Sequence, residues 1–289
     1  MKLSSEREQL LSEGFCTIPG VLNSEILTEL REASASVVEA MTEEERERNQ
    51  STGSMIITWR HERFTELVAS PEIEGVLKGL GFSDCKFSSG FVISKPPQSP
   101  PLFWHFDWAA WHHPFSYGRF PAQIFLMFYL VDTNRDNGCL RVIPRSHIEE
   151  NPLHEILRNA HSEELTRATD LKSEEFQERS DDLDVPVHAG DVVIGDSRLL
   201  HSAHANSGDS RRTVITLWFH PNYDTFPDPI QGYVAGMYAP PHTDWQEPVK
   251  SRMAELTPEY NGIDEALGFS RERLSRDEFF ARPENAPEA

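Results

Sequence analysis

The sequence predicts a mainly β fold, a sandwich or jelly roll with flanking helices (α+β), and two observations predict it. From about residue 84 onward, short β-rich runs alternate with clusters of Pro, Gly, Asn and Asp, the rhythm of a many-stranded core. Before that point apolar residues recur at spacings of three and four, the helical period. A helical N-terminal part of about 1–82, a β core of about 83–222 and a C-terminal extension of about 223–289 follow. No strong linker divides them, so one domain spanning 1–289 is expected.

The elements can be justified in order. Ser4 and Ser5 with Glu8 open a short helix that ends at Gly14, and "FCTIPGV" is a strand closed by Pro19-Gly20. Asn23 or Ser24 caps a second helix whose apolar positions are Ile26, Leu27, Leu30, Ala33, Val37, Val38 and Met41. That helix is expected to dissolve in the charged run "TEEERERNQ" as a solvated end. A third helix is expected in "SPEIEGVLKGLG", with Pro71 in its first turn and Gly81 past its end. The strand candidates are "KFSSGFVIS", "LFWHFDW", "QIFLMFYLV", "CLRVI", "DVPVH", "DVVIGD", "RLLHSAH" and "TVITLWFH". The polar, acidic interval 148–184 breaks the rhythm and reads as a solvated excursion, with a lid over a site as the alternative. In the extension, Met253, Leu256, Ile263 and Leu267 suit packing helices, and the final "RPENAPEA" is expected to fray.

Composition narrows the function classes. With 38% hydrophobic and 10% aromatic residues the chain is globular, and its 289 residues can bury a substantial core. A formal net charge of −20 argues against nucleic acid or an anionic membrane as partner, because both recruit clustered Lys and Arg. Cys16, Cys85 and Cys139 are far apart and form neither a disulfide framework nor a CxxC site, so a reducing cytoplasm is the expected location. No apolar run has the length of a signal peptide core or a membrane span. Oligomeric state is not legible.

The stretch "PPLFWHFDWAAWHH" concentrates aromatics, histidines and one aspartate. On a strand, alternate side chains share a face, so His105 and Asp107 stand side by side while Trp104, Phe106 and Trp108 face the other way. An imidazole and a carboxylate so placed, completed by a distant histidine, form the facial triad of non-haem Fe(II) oxygenases, which leaves metal positions open. By itself the pair is weak evidence, since a His-x-Asp is more often a hydrogen-bonded pair in a wall or loop. The third ligand is sought in "HSAHANSGDSRR", where His201 and His204 compete and would face opposite ways if the strand continued. Arg212, at the start of the next strand, is the group that would hold a carboxylate in bidentate fashion near the metal. That combination suggests a dicarboxylate cosubstrate.

With these residues in view, the chain resembles the phytanoyl-CoA dioxygenase family of Fe(II)- and 2-oxoglutarate-dependent oxygenases, from "SEGFCTIPGVLNSEILTELR" to about residue 221. "WHFDWAAWHHP" is similar to the family's His-x-Asp segment, "DTNRDNGCLRVIPRSH" to its asparagine-glycine turn and following strand, and "HSAHANSGDSRR" to its distal histidine motif. The family places Asn five and Arg eleven residues after the ligand histidine. Counting from His201 reaches Asn206 and Arg212, whereas counting from His204 reaches Asp209 and Ile215.

The resemblance implies a double-stranded β-helix, the cupin-like jelly roll, with Fe(II) held by His105, Asp107 and His201. It implies 2-oxoglutarate as cosubstrate, with its distal carboxylate on Arg212, and O2 as oxidant. Lys95 and Gln123 are further candidates for cosubstrate contacts. Some members add a hydroxyl two residues after the distal histidine; that position is Ala203 here, and the neighbouring Ser202 is the candidate. Phe106 stands where members often carry glutamine, and Arg145 replaces a usual glycine. The implied reaction hydroxylates a small molecule and releases succinate and CO2, and the retained Asp107 favours this over halogenation. Trp108, Trp111 and His113 are candidates for the substrate pocket. His147 reads as structural. Asn206 reads as a turn residue fixing the approach to Arg212. His61, His154, His161, His188, His220 and His242 have no partner at metal spacing and receive no role.

Two other readings compete: a zinc hydrolase, which lacks a His-Glu-x-x-His helix here, and a binding or scaffold jelly roll with a vestigial site, which would have lost ligands. Acyl-CoA, alkaloid, terpenoid and amino-acid-like substrates all fall within the resemblance. The acidic net charge disfavours polyanionic CoA esters among them.

Overall fold

A computed structural model describes residues 2–157, 161–237, 245–263 and 265–282. The segment 283–289 and His242 lie outside the described residues.

All strand pairings are antiparallel and fall into two sheets. Strands β1 (Phe15–Ile18), β2 (Ile56–Ile57), β3 (Lys86–Lys95), β5 (Ile124–Tyr129), β8 (Val192–Asp196) and β10 (Arg212–His220) form the larger sheet, in the order β1-β8-β5-β10-β3-β2. Strands β4 (Leu102–His105), β6 (Leu140–Val142), β7 (Leu183–Val185) and β9 (His201–Ala203) form the smaller sheet, in the order β4-β9-β6-β7. The arrangement is jelly-roll-like, although more residues lie in helix than in strand.

The run "IFLMFY" of β5 is buried throughout because the larger sheet is covered on both faces. Ile124, Leu126 and Phe128 join the core shared with the N-terminal helices, together with Val192, Ile194, Ile215 and Leu217. Phe125, Met127 and Tyr129 point the other way and meet Leu140, Val142 and Leu199 inside the barrel. That inner row leads toward the functional site.

The helical flank follows its capping signals. α1 (Ser4–Glu13) stops at Gly14, whose φ of +88° is left-handed and whose missing Cβ would collide with His147 and Leu199. α2 (Ser24–Glu39) is capped by Asn23, and α5 (Pro71–Gly79) by Ser70 with Pro71 in its first turn. The charged run expected to be the dissolving end of α2 is instead a separate helix, α3 (Glu43–Arg48). Thr42 and Glu45 form a reciprocal capping box that restarts the helix. α4 (Glu62–Val68), capped by the His61 side chain, had no expected counterpart.

Three further expectations are corrected. β4 ends at His105 rather than running to Trp108, because the backbone N–H groups of Asp107 and Trp108 both turn to the Ser197 carbonyl, at 2.8 and 2.9 Å. The interval 148–184 is not a solvated excursion. It carries α6 (Leu153–Ile156) and α7 (Glu163–Thr166), and its Leu153, Leu165 and Phe176 are buried. Trp104 Nε1 donates to the Gln177 carbonyl at 3.0 Å, which pins this segment over β4. In the extension, α8 (Asp228–Met237), α9 (Val249–Leu256) and α10 (Arg276–Phe280) form; Met253 and Leu256 pack as expected, but Ile263 is fully exposed and lies outside any helix.

Candidate metal and cosubstrate site

His105 ends β4 and His201 begins β9, and the two are direct register partners. Each ring is oriented by its own strand: His105 Nδ1 meets the Phe103 carbonyl and His201 Nδ1 the Leu199 carbonyl, both at 3.0 Å. A carbonyl accepts only from N–H, so each Nδ1 carries a proton and each Nε2 is the ring atom left to face a metal. Those two Nε2 atoms converge on one carboxylate. His105 Nε2 lies 3.7 Å from Asp107 Oδ1, and His201 Nε2 lies 3.8 Å from Asp107 Oδ2.

Asp107 is steered from the larger sheet, where Trp218 Nε1 on β10 donates to its Oδ2 at 2.8 Å. Burial, then the neighbouring His201 and His161, hold the His105 imidazole well below the usual histidine range, which keeps it neutral as a metal ligand must be. Two imidazoles facing a single carboxylate make a donor set that fits a divalent metal with open positions.

His161, which received no role from the sequence, also reaches this point. Its ring lies 4.9 Å from that of His105, and its ligand atom falls with those of His105 and Asp107 in a cluster within 4.8 Å. It arrives from the interval 148–184, so no local spacing could have signalled it. His204 is committed elsewhere, its Nε2 bonded to Asp184.

A second set of polar residues lies at the other end of the inner row of β5. Arg212 and Lys95 are register partners on β10 and β3, both almost fully buried. Among the described residues neither forms an ion pair, and Arg212 Nε has no hydrogen-bond partner. Lys95 Nζ is held by the carbonyls of Ser51 and Pro100, and burial, reinforced by Arg212, pulls it well below the usual lysine range. A buried guanidinium and a buried amine side by side, without a carboxylate, form a receptor for an anion. Asn206 ties the preceding loop to the end of β3 through the Lys95 and Pro96 carbonyls, which sets where Arg212 starts.

Other candidate residues sit elsewhere. Gln123, one residue before β5, lies beside Ser88 and His220 in a cavity with Asp107 and Trp108, away from Arg212. Ser202 points to the opposite face from His201, donating to the Leu102 carbonyl and accepting from Arg141, so its hydroxyl is already engaged. Trp108 does line the cavity. Trp111 does not: it is buried against Phe106 and Tyr117, under the Arg273 guanidinium. His113 caps the turn Pro114–Tyr117 by accepting from the Phe115 N–H.

The cavity beside Asp107 has a volume of about 390 Å³. Phe91, Trp108 and Trp218 form part of its wall, and its remaining lining includes Met55 from the N-terminal part and Tyr233, Met237 and Arg271 from the extension.

A jelly roll carrying a His-x-Asp pair on a strand end has the architecture of the non-haem iron, 2-oxoglutarate-dependent oxygenases, and the chain falls in that class. It belongs to the phytanoyl-CoA dioxygenase (PhyH) family, whose model matches residues 10–214. A probable alpha-ketoglutarate-dependent hypophosphite dioxygenase of Stutzerimonas stutzeri is 26% identical over 158 residues, which are 53% of this chain and 51% of that protein. The chain thus matches about half the length of this curated relative.

Among solved structures, HygX of Streptomyces hygroscopicus with nickel and 2-oxoglutarate bound has a TM-score of 0.59 at 16% identity, covering 77% of this chain and 88% of that one. The carbocyclase SnoK of nogalamycin biosynthesis has a TM-score of 0.54 at 24% identity, covering 75% and 83%. These likenesses bear on the fold. Iron and 2-oxoglutarate are the cofactors of the class, and O2 its usual co-substrate. No helix among the described residues is long and apolar enough to cross a membrane.

Proposed function

We propose that the chain is a 2-oxoglutarate-dependent non-haem iron dioxygenase that hydroxylates an unactivated C–H bond of a small organic molecule. The observation that carries this reading is the convergence of His105 Nε2 and His201 Nε2 on the two oxygens of Asp107. These three residues would hold Fe(II). When bound, the iron and 2-oxoglutarate activate O2, with decarboxylation to succinate and CO2, and so supply the oxidising power. The chain positions and excludes: Arg212, with Lys95 beside it, takes the distal carboxylate of 2-oxoglutarate, Trp218 orients Asp107, and Trp108 and Trp218 keep water from the substrate.

His161 offers a second reading for the third ligand, because its cluster with His105 and Asp107 is compact. His201 is favoured. It is buried, anchored at Nδ1 and paired in register with His105, whereas among the described residues no hydrogen bond orients the His161 ring.

We infer an organic substrate rather than hypophosphite, since a cavity of about 390 Å³ with aromatic walls is large for so small an ion. That cavity draws residues from the N-terminal part, the β core and the extension, which supports treating 1–289 as one functional unit. Three free cysteines fit a cytoplasmic location.

Anaerobic addition of Fe(II) and 2-oxoglutarate should produce a visible metal-to-ligand charge-transfer band. Folded protein that binds both without such a band would overturn the proposal.

A further inference from the structure

Arg271 lies outside the segment matched by the family model and is placed at the candidate site by the extension. Ser270 forms a parallel bridge with Ala110, its N–H donating to the Ala109 carbonyl at 2.7 Å, and its hydroxyl meets His112. Three residues on, Arg273 is ion-paired to Glu150 and stacked over Trp111. Arg271 is thus held between two fixed points, against the loop that follows Asp107.

Arg271 lines both the cavity of about 390 Å³ that contains Asp107 and an outer cavity of about 1020 Å³, and so stands where the two meet. Among the described residues no carboxylate pairs with Arg271, and its Nε is buried without a hydrogen-bond partner. Asp107 and Tyr233 are near enough to act on its charge, but Asp107 is the only acid among the described lining residues of the inner cavity and is a ligand of the proposed metal site. A guanidinium fixed at a cavity mouth with unused donors recognises a planar anion in bidentate fashion. The outer cavity is lined by Glu163, Glu164, Asp170 and Glu175, a field that repels multiply charged anions.

We propose that Arg271 anchors the carboxylate of the substrate, which is therefore a small organic monoacid. Its apolar body extends into the inner cavity between Phe91, Trp108 and Trp218, and so is presented to the face of Asp107 and His105. This rests on the reading of that cavity as the active site of an iron and 2-oxoglutarate enzyme.

The test is calorimetric titration of the anaerobic protein, with Fe(II) and 2-oxoglutarate present, using phenylacetate and its uncharged isostere phenylacetamide. The carboxylate should bind at least about tenfold more tightly than the amide. Arg271→Met should abolish that preference and Arg271→Lys should retain part of it, while both variants keep wild-type affinity for 2-oxoglutarate and the charge-transfer band. Equal binding of the two probes by the wild type, binding of neither, or an unchanged preference in folded Arg271→Met overturns the proposal. So does a loss of 2-oxoglutarate affinity in that variant, which would make Arg271 a cosubstrate residue. Absence of the charge-transfer band in the wild type tells instead against the iron and 2-oxoglutarate reading, independently of the probe preference.

Discussion

His105 and His201 face each other as register partners at the end of β4 and the start of β9, with ring centroids 4.1 Å apart. The register brings together two histidines almost a hundred residues apart in the chain, and each is oriented by the carbonyl two residues before it. If this pair with Asp107 is the metal triad, His201→Ala should lower Fe(II) affinity by more than about 100-fold, beyond the usual effect of losing a supporting contact. His161→Ala should change it only a few-fold. Anaerobic metal titration decides between them, and the reverse ranking would transfer the ligand role to His161.

Trp218 supports Asp107 from the opposite sheet through its 2.8 Å indole bond. Trp218→Phe keeps the aromatic wall and removes that donor. Fe(II) affinity should fall by about 10–100-fold with little change in melting temperature.

The buried Arg212 and Lys95 set the expectation for the cosubstrate. Arg212→Ala should weaken 2-oxoglutarate binding at least about tenfold while Fe(II) binding persists. Unaltered 2-oxoglutarate affinity in that variant would remove Arg212 from the role.

Gly195 on β8 has no room for a side chain, because a Cβ there would lie 2.0 Å from the Phe125 ring. Phe125 in turn packs 4.9 Å from His201. Gly195→Ala should therefore cost about 1–3 kcal/mol of stability by overpacking. Displacement of Phe125 against His201 should weaken metal binding as well, which a thermal melt with and without Fe(II) separates.

His220 is buried with Nδ1 on the Ala122 carbonyl, and burial lowers its pKa to about 4. Unfolded, the same imidazole titrates near 6.5, so between the two values the unfolded chain binds more protons and stability falls as pH falls. The loss should amount to roughly 3 kcal/mol across that window and level off below it. His220→Asn, which keeps an N–H for Ala122, should remove that part of the dependence in chemical denaturation at a series of pH values, leaving the shares of His154 and His161.

Much of the fold is legible in the chain itself. Caps such as Asn23 and Ser70 act within one helical turn, so α2 and α5 can be read from a few neighbouring residues. The continuous apolar run of β5 predicts a strand because both of its faces have to be buried. The break between α2 and α3 is not legible because a capping box inside a charged run looks like more charge. Trp111 and His113, pocket candidates in the sequence, pack elsewhere because the chain turns at Asp107 and Trp108, whose N–H groups both meet the Ser197 carbonyl, a contact no local spacing signals.

The sequence alone singled out the candidate donors, His105 with Asp107 and a distant histidine followed by Arg212, because ligand chemistry and strand alternation are local properties. Only the tertiary structure decided what meets them: Trp218 on Asp107, Lys95 opposite Arg212, His161 beside His105 and Arg271 at the cavity mouth. These are contacts between segments distant in the chain, made by sheet register and loop packing, and no spacing along the sequence encodes them.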